Sequence, residues 1–483
     1  MTTKLFPAWV YYAALMLVLA LFGSTLYHRV VHFDDAWLAE QAYSLRRDGY
    51  VHSELFRGLN GWENQLFVFH KAYAYALALT MSVLGESLWA VKATTLLFVV
   101  GGLLLLLRYF RAQAEAQWLA AMLYLGCGAV VTFGFTGRPE AMVMCCGLAS
   151  YVVLARGPEN GWGAAVMAGS LAGLAALAHL NGLIYLAAGV LWLLTTPRGW
   201  RRAFGFGLAG AGVAGLYLAD ALVAGQLPVL VQQFMHDPVN QANLSLNAKL
   251  RVMAAFPNMF LHSDAELTIT LVLVLSLLLT AGRRTVLSPA LRYLLLLLGL
   301  FWLLTKSATV YYLVLFVPFF VIVSVEAAVG ATALPVWRLR LLLLVLGLYP
   351  LGSVARARYL WHENATYPQP ELENRRLAAH MPCLHRKVVA PIDFIFGEFD
   401  NYRIHSLTYY SFISDGQPDG NMPLTAFFAR AASDTVTYVV ADYRTFNMVY
   451  HIPPDAPARI GMYRRIYQTA WYGLYERQPA CRP

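Results

Sequence analysis

Long apolar runs alternate with short polar breaks along most of the chain. The runs fall at approximately 8–27, 88–107, 117–135, 140–155, 162–178, 182–196, 203–224, 265–281, 290–305, 309–328 and 340–355. Most approach the ~20 residues that a helix needs to cross a ~30 Å hydrocarbon layer. Counting each run once predicts about eleven membrane-spanning helices. The polar breaks alternate in charge. Arg108 and Arg111, then Arg156, then Arg198, Arg201 and Arg202, then Arg283 and Arg284, and finally Arg338 and Arg340 fall on one side. Breaks on the other side, such as "TGRPE" and "HLNG", carry no such clusters. The positive-inside rule puts the Arg clusters in the cytoplasm. An odd number of spans puts the tail from about Arg356 to Pro483 outside. The first run has a single Lys ahead of it and no small-residue cleavage site after it, so it reads as a retained span.

One run departs from this scheme. "FVFHKAYAYALALTMSVLG", Phe67 to Gly85, is apolar enough to span, yet counting it would reverse every later loop. Its aromatic content suits a helix at the outer interface. The segment 28–87 is then an elaborate outer loop. Within it Trp37, Leu38, Gln41, Ala42 and Leu45 share one side of a helix from Ala36 to Arg47, with Gly49 as its stop. A second long outer loop runs from Gly225 to about Asp264. The tail differs in kind. "RKVVAPIDFI", "TVTYVVADY" and "GLYERQ" are short β-rich runs, and "MPLTAFFARAA" reads as a helix between them. The expected fold is mainly α and polytopic, with outer interfacial helices and a small C-terminal α/β extramembrane domain. The expected division is 1–355 in the membrane and 356–483 outside.

Composition agrees with the pattern. Of 483 residues, 59% are hydrophobic and 13% charged, against about 25% charged in a soluble chain. The net charge of +9 lies in short clusters between apolar runs, which excludes a basic nucleic-acid-binding face. Of five cysteines, Cys127, Cys145 and Cys146 lie in apolar runs. Cys383 and Cys481 lie in the tail, and an oxidising space would let them pair.

Few groups stand out as candidate chemistry. Asp34 and Asp35 sit side by side where the first span ends. A helix cap explains one of them; two adjacent carboxylates at a membrane surface resist both each other and dehydration. Arg138 and Glu140 flank Pro139 in "FTGRPEAMVM". They are either a solvated pair at a turn or an Arg whose planar fork fits a phosphate. His179 and Asn181 end a span, and a hydrogen-bonded interfacial histidine accounts for them. Lys306 stands at the outer end of an apolar pair of spans, to snorkel or to hold an anionic lipid head. Tyr311 and Tyr312 beside it read as belt aromatics. Glu63 and His70 offer two ligands to a divalent metal, a weak set, so no cofactor is assigned and a metal stays open.

Together these features resemble the GT-C superfamily of membrane glycosyltransferases. The likeness is greatest to the branch with protein O-mannosyltransferases and the lipid A aminoarabinose transferase. "FDDAWLAEQAYSLRRDG" is similar to the family's acidic motif followed by a helix. "GRPEAM" resembles its Arg-Pro-Glu turn, and "KSATVYYLVLFVPFF" its basic-aromatic late span. "GWENQLFVFHKAY" is similar to the segment with a contacting acid, here Glu63, although Asn64 and Gln65 replace the family's Lys and prolines. The resemblance implies catalysis by Asp34 as general base with Asp35 as its acidic neighbour. It implies a substrate site drawn from Arg138, Glu140, Lys306, Glu63, His179 and Tyr311, in which Arg138 and Lys306 stabilise a lipid phosphate. The implied donor is a polyprenyl-phosphate-linked sugar, and the acceptor a lipid, glycan or protein among membrane lipids. The implied setting is a bacterial inner membrane with the site and the C-terminal domain on the periplasmic side. A polyprenol-linked glycan polymerase or ligase is the nearest alternative. A transporter or scaffold is another, but the charges gather at one face and spare the middles of the runs.

Overall fold

The structure is a computed structural model, and it describes residues 7–26, 29–157, 161–197, 199–236, 245–280, 288–329, 334–415, 422–444 and 449–479. Each apolar run is mainly helical where it is described. Three helical stretches, Leu88–Tyr109, Trp200–Val223 and Val336–Ala378, are long and apolar enough to cross a membrane. Leu246–Leu261 and Asp264–Thr280 pass that test together but meet at an 86° bend. Other apolar helices, such as Trp162–Ala178 and Pro289–Leu304, are shorter.

Two expected continuous spans are broken. The run 117–135 divides into Ala114–Leu125 and Gly128–Phe133. Gly126 sits at the break because a Cβ there would meet the Met122 carbonyl at 2.8 Å and Ser353 Oγ at 2.9 Å. The run 309–328 begins as a 3₁₀ turn, Val310–Leu315, and becomes α-helical only at Val317. Pro318 has no N–H to give, and it is accommodated in the first turn of that helix. Both breaks lie next to the site described below.

Four helices frame the outer loop: α1 (Ala8–Ser24), α2 (Phe33–Asp48), α3 (Lys71–Leu84) and α4 (Leu88–Tyr109). Helix α2 was expected to lie amphipathically at the interface. Instead nine of its sixteen residues are buried, Asp35, Glu40 and Ser44 among them. The C-terminal domain covers it: the Tyr43 ring stacks on Phe399 at 4.6 Å, and its hydroxyl donates to Asp400. Gly49 ends the helix at φ 79°, the left-handed stop that glycine permits. Helix α3 has fourteen residues, about 21 Å of rise, short of the ~30 Å hydrocarbon layer. Tyr75, Leu79 and Val83 form an exposed apolar stripe along it.

The helix Val336–Thr366 passes without interruption through position 355. The C-terminal domain follows, built on one six-stranded sheet of order β2-β1-β3-β6-β5-β4. The strands are β1 (Lys387–Ala390), β2 (Arg403–Ser406), β3 (Tyr438–Asp442), β4 (Arg459–Ile460), β5 (Tyr463–Gln468) and β6 (Tyr472–Arg477). Strands β2, β1 and β3 are parallel and the others antiparallel. Cys383 is disulfide-bonded; Cys481, its expected partner, lies outside the described residues.

Candidate active site

The adjacent carboxylates at the start of α2 do different work. His32 is the N-cap, and Asp35 reaches back to accept from the His32 N–H at 2.7 Å, closing a capping box. Asp35 has no exposed side-chain surface and meets Lys92 Nζ of α4 at 3.1 Å. It also accepts from the N–H of Gly137. Any side chain at 137 would break that contact, because a Cβ there would sit 2.3 Å from Val91 Cγ1 and 2.8 Å from Asp35 Oδ1. Asp35 therefore staples α2 to α4 and to the 134–139 turn.

Asp34, one position earlier, keeps 24% of its side chain exposed. It faces a cavity of about 610 Å³ and receives Nη1 of Arg138. Arg138 is held on its other edges. Glu140 accepts from Nε at 3.1 Å and from Nη2 at 2.9 Å, and the Tyr311 ring lies 3.4 Å below the guanidinium carbon. Burial works against the charge on Arg138, but Glu140 and Asp34 outweigh it and hold its pKa well above the usual value. With its fork engaged by two carboxylates, Arg138 fixes the orientation of Asp34.

His179 lies further along the same chain of contacts. Its ring meets Tyr312 at 6.1 Å and stacks on His70 at 4.7 Å, and Tyr312 packs against Tyr311. Burial, with the His179 ring beside it, pushes the His70 imidazole down to about 3. Burial also lowers His179. Both rings are neutral near pH 7.

The structure brings Asp34, Arg138, Glu140 and Tyr311 together, with His179 two rings away. It sets two other candidates apart from them. Lys306 is exposed and its Nζ stands 4.6 Å above the Phe234 ring. Glu63 accepts from the N–H of Gly58 at 3.1 Å and so closes its own loop. Among the described residues no group of three or more His, Cys, Asp or Glu side chains assembles as metal ligands.

Sequence reasoning passed over several residues of the cavity. Arg29 lines it, and its donors go to neutral oxygens: the carbonyls of Thr25, Val131 and Thr132 and the Thr25 hydroxyl. Burial lowers it to about 10, so it stays a cation at neutral pH. Arg356, from the last long helix, stands in the same wall and donates to Thr132 Oγ1 at 2.6 Å. The outer domain supplies the roof. Asp393 follows β1 and Asp442 ends β3, and Arg444 bridges them with bonds of 2.7–3.0 Å. The carboxyl ends of parallel strands are where open α/β sheets present such groups. One signal beside this set was legible: Lys92, the partner of Asp35, is a charge in the second turn of a helix whose other charge, Arg108, falls in its last turn, and a charge in such a helix points to function.

Comparison with known proteins places this architecture. The family described as dolichyl-phosphate-mannose-protein mannosyltransferase matches residues 72–224, a segment that contains Arg138, Glu140 and His179 but not Asp34. No curated protein matches the sequence. Among solved structures, ArnT from Cupriavidus metallidurans bound to undecaprenyl phosphate superposes with a TM-score of 0.65 at 14% identity, covering 96% of this chain and 97% of that one. The apo form of ArnT gives 0.64 at 13% identity, with 97% of each chain covered. The Archaeoglobus fulgidus oligosaccharyltransferase gives 0.53 at 12% identity, over 90% of this chain and 69% of that one. The fold is that of the GT-C glycosyltransferases, polytopic membrane proteins, and it extends over the whole length of ArnT.

Proposed function

We propose that this chain transfers a sugar from a polyprenyl-phosphate carrier to an acceptor hydroxyl, with inversion and with Asp34 as general base. The observation that carries this reading is the division of labour between neighbouring carboxylates. Asp35 is buried and fully engaged, whereas Asp34 is held by one guanidinium and open to a cavity of about 610 Å³.

The steps follow from the residues. The acceptor oxygen attacks the anomeric carbon from the face opposite the lipid phosphate. Asp34 takes the hydroxyl proton as the new C–O bond forms. The bond between the anomeric carbon and the phosphate oxygen breaks, and its electron pair leaves with the lipid phosphate. Among the described residues, Arg29 and Arg356 are the cavity cations with no carboxylate at hydrogen-bond distance, Asp264 standing 4.0 Å from Arg356, and preorganised charge of this kind stabilises a departing anion by several kcal/mol. Lys306 and the remaining candidates take supporting places in substrate binding. The relatives support the donor class: one ArnT structure holds undecaprenyl phosphate. The charge pattern supports about eleven spans, with the site and the C-terminal domain on the periplasmic side of a bacterial inner membrane.

The test is transfer from a radiolabelled polyprenyl-phosphate sugar by purified protein. Asp34→Asn should lower the rate by roughly 10²–10⁴-fold and leave the melting temperature near that of the wild type. Wild-type turnover in that variant would exclude Asp34 as the base.

A further inference from the structure

A second cavity, of about 440 Å³, lies between α2 and the outer domain and takes no part in the steps above. Its place is set by the pitch of α2. Phe33, Trp37, Glu40, Ser44 and Arg47 recur at spacings of four, three, four and three, so they form one stripe of the helix. Phe33 and Trp37 line the first cavity with Asp34, and Glu40, Ser44 and Arg47 line the second. The roof repeats this division: Ile392 covers the first cavity and Ile395, one turn later, the second. The two cavities therefore lie end to end over one helix face beneath one domain. From Asp34 to Arg47 is thirteen residues, about 20 Å of helix rise, the reach of a few linked sugars.

The second cavity is polar and built. Glu40 accepts from the Ser53 hydroxyl at 2.6 Å and from the N–H groups of Glu54 and Leu55 at 2.7 and 2.8 Å. Arg57 is held by Glu54, and Arg47 donates to Asp48 and to the Tyr43 hydroxyl. His52 is 8% exposed and its Nδ1 has no partner among the described residues. Arg403 stands exposed at the rim, on the first residue of β2. Asp48 pairs with Arg47 and Glu54 with Arg57, so two of the three guanidinium groups of the lining are already neutralised and a strongly charged ligand gains little from them. Fixed forks of donors and acceptors beside the aromatic faces of Tyr43 and Phe399 suit a hydroxyl-rich ligand instead.

We infer that this cavity binds the saccharide part of the acceptor, a few sugars from the hydroxyl that is modified. The inference rests on the transferase reading and narrows its acceptor to a glycan or glycolipid.

The test uses full-length protein in living cells, with benzoylphenylalanine as the photo-crosslinking probe. It is placed at Arg403, on the cavity rim, and, as a control, at Arg459, an exposed position on β4. Adducts are analysed by mass spectrometry. Adducts carrying sugar increments at 403 and not at 459 are the expected result. Lipid-only adducts, no adduct, or the same adducts at both positions would overturn the inference. In parallel, Arg403→Ala should raise the KM for purified envelope glycolipid at least several-fold and leave the KM for the donor unchanged. Equal acceptor KM values in variant and wild type would also overturn it. Loss of all transfer in the wild type counts against the transferase reading, whereas the crosslink reports on the cavity alone.

Discussion

At the scale of single residues, burial separates a structural acid from one left open to the cavity. Asp34 and Asp35 are neighbours in sequence with the same chemistry. The helix turns them 100° apart, so one faces Lys92 and the other faces the cavity. Substitution should separate them again. Asp35→Asn leaves the Lys92 ammonium buried without its anion, which costs about 3–5 kcal/mol. The expected outcome is a clear fall in the melting temperature of detergent-purified protein, in contrast to Asp34→Asn. An unchanged melting temperature in Asp35→Asn would remove the staple from this account. The sequence showed that one carboxylate of the pair exceeds what a helix cap requires. The resemblance pointed to Asp34, but the residues by themselves did not show which one, because that depends on a Lys 57 positions later and on where α4 packs.

At the scale of elements, periodicity made most helices readable, and tertiary burial decided the exceptions. The stop at Gly49 and the strands β1, β3 and β6 follow from local chemistry. Helix α2 looked interfacial because Trp37, Leu38 and Leu45 share a side, but the outer domain buries it on the others as well. Strand β5 escaped notice because its run YRRIYQ is charged and largely exposed. The roof of the site was equally hidden. Asp393, Asp442 and Arg444 are spread over fifty residues, and only the parallel pairing of β1 with β3 assembles them. Their mutual dependence is open to test. Arg444→Leu leaves two buried carboxylates facing each other, at a cost of about 3–5 kcal/mol. Limited proteolysis should then cut within the tail of the intact protein at protease levels that spare the wild type. Equal resistance would show that the bridge contributes no net stability.

At the scale of the whole molecule, half-buried His70 and buried His405 tie stability to pH. His70 is pushed down to about 3 and His405 to about 4, in both cases chiefly by burial. Unfolded, each has a pKa of about 6.5. Between those values the unfolded chain binds more protons than the folded one, so stability rises with pH. Acidification from pH 7 to pH 5 should therefore lower the melting temperature, each ring contributing up to about 1.4 kcal/mol per pH unit below 6.5. His405 has both ring nitrogens buried without partners among the described residues. His405→Leu should flatten the dependence, and an equally steep profile in that variant would assign the acid lability elsewhere.

The uninterrupted helix Val336–Thr366 has one more implication. It begins among the apolar runs and ends as a wall of the first cavity, where it contributes Arg356, Tyr359 and Glu363. It runs for 31 residues, about 46 Å, with no loop between its ends but with Pro350 inside it, where a helix bends most readily. Bending at Pro350 would carry the cavity wall with it, and so couples the apolar half of this helix to the site.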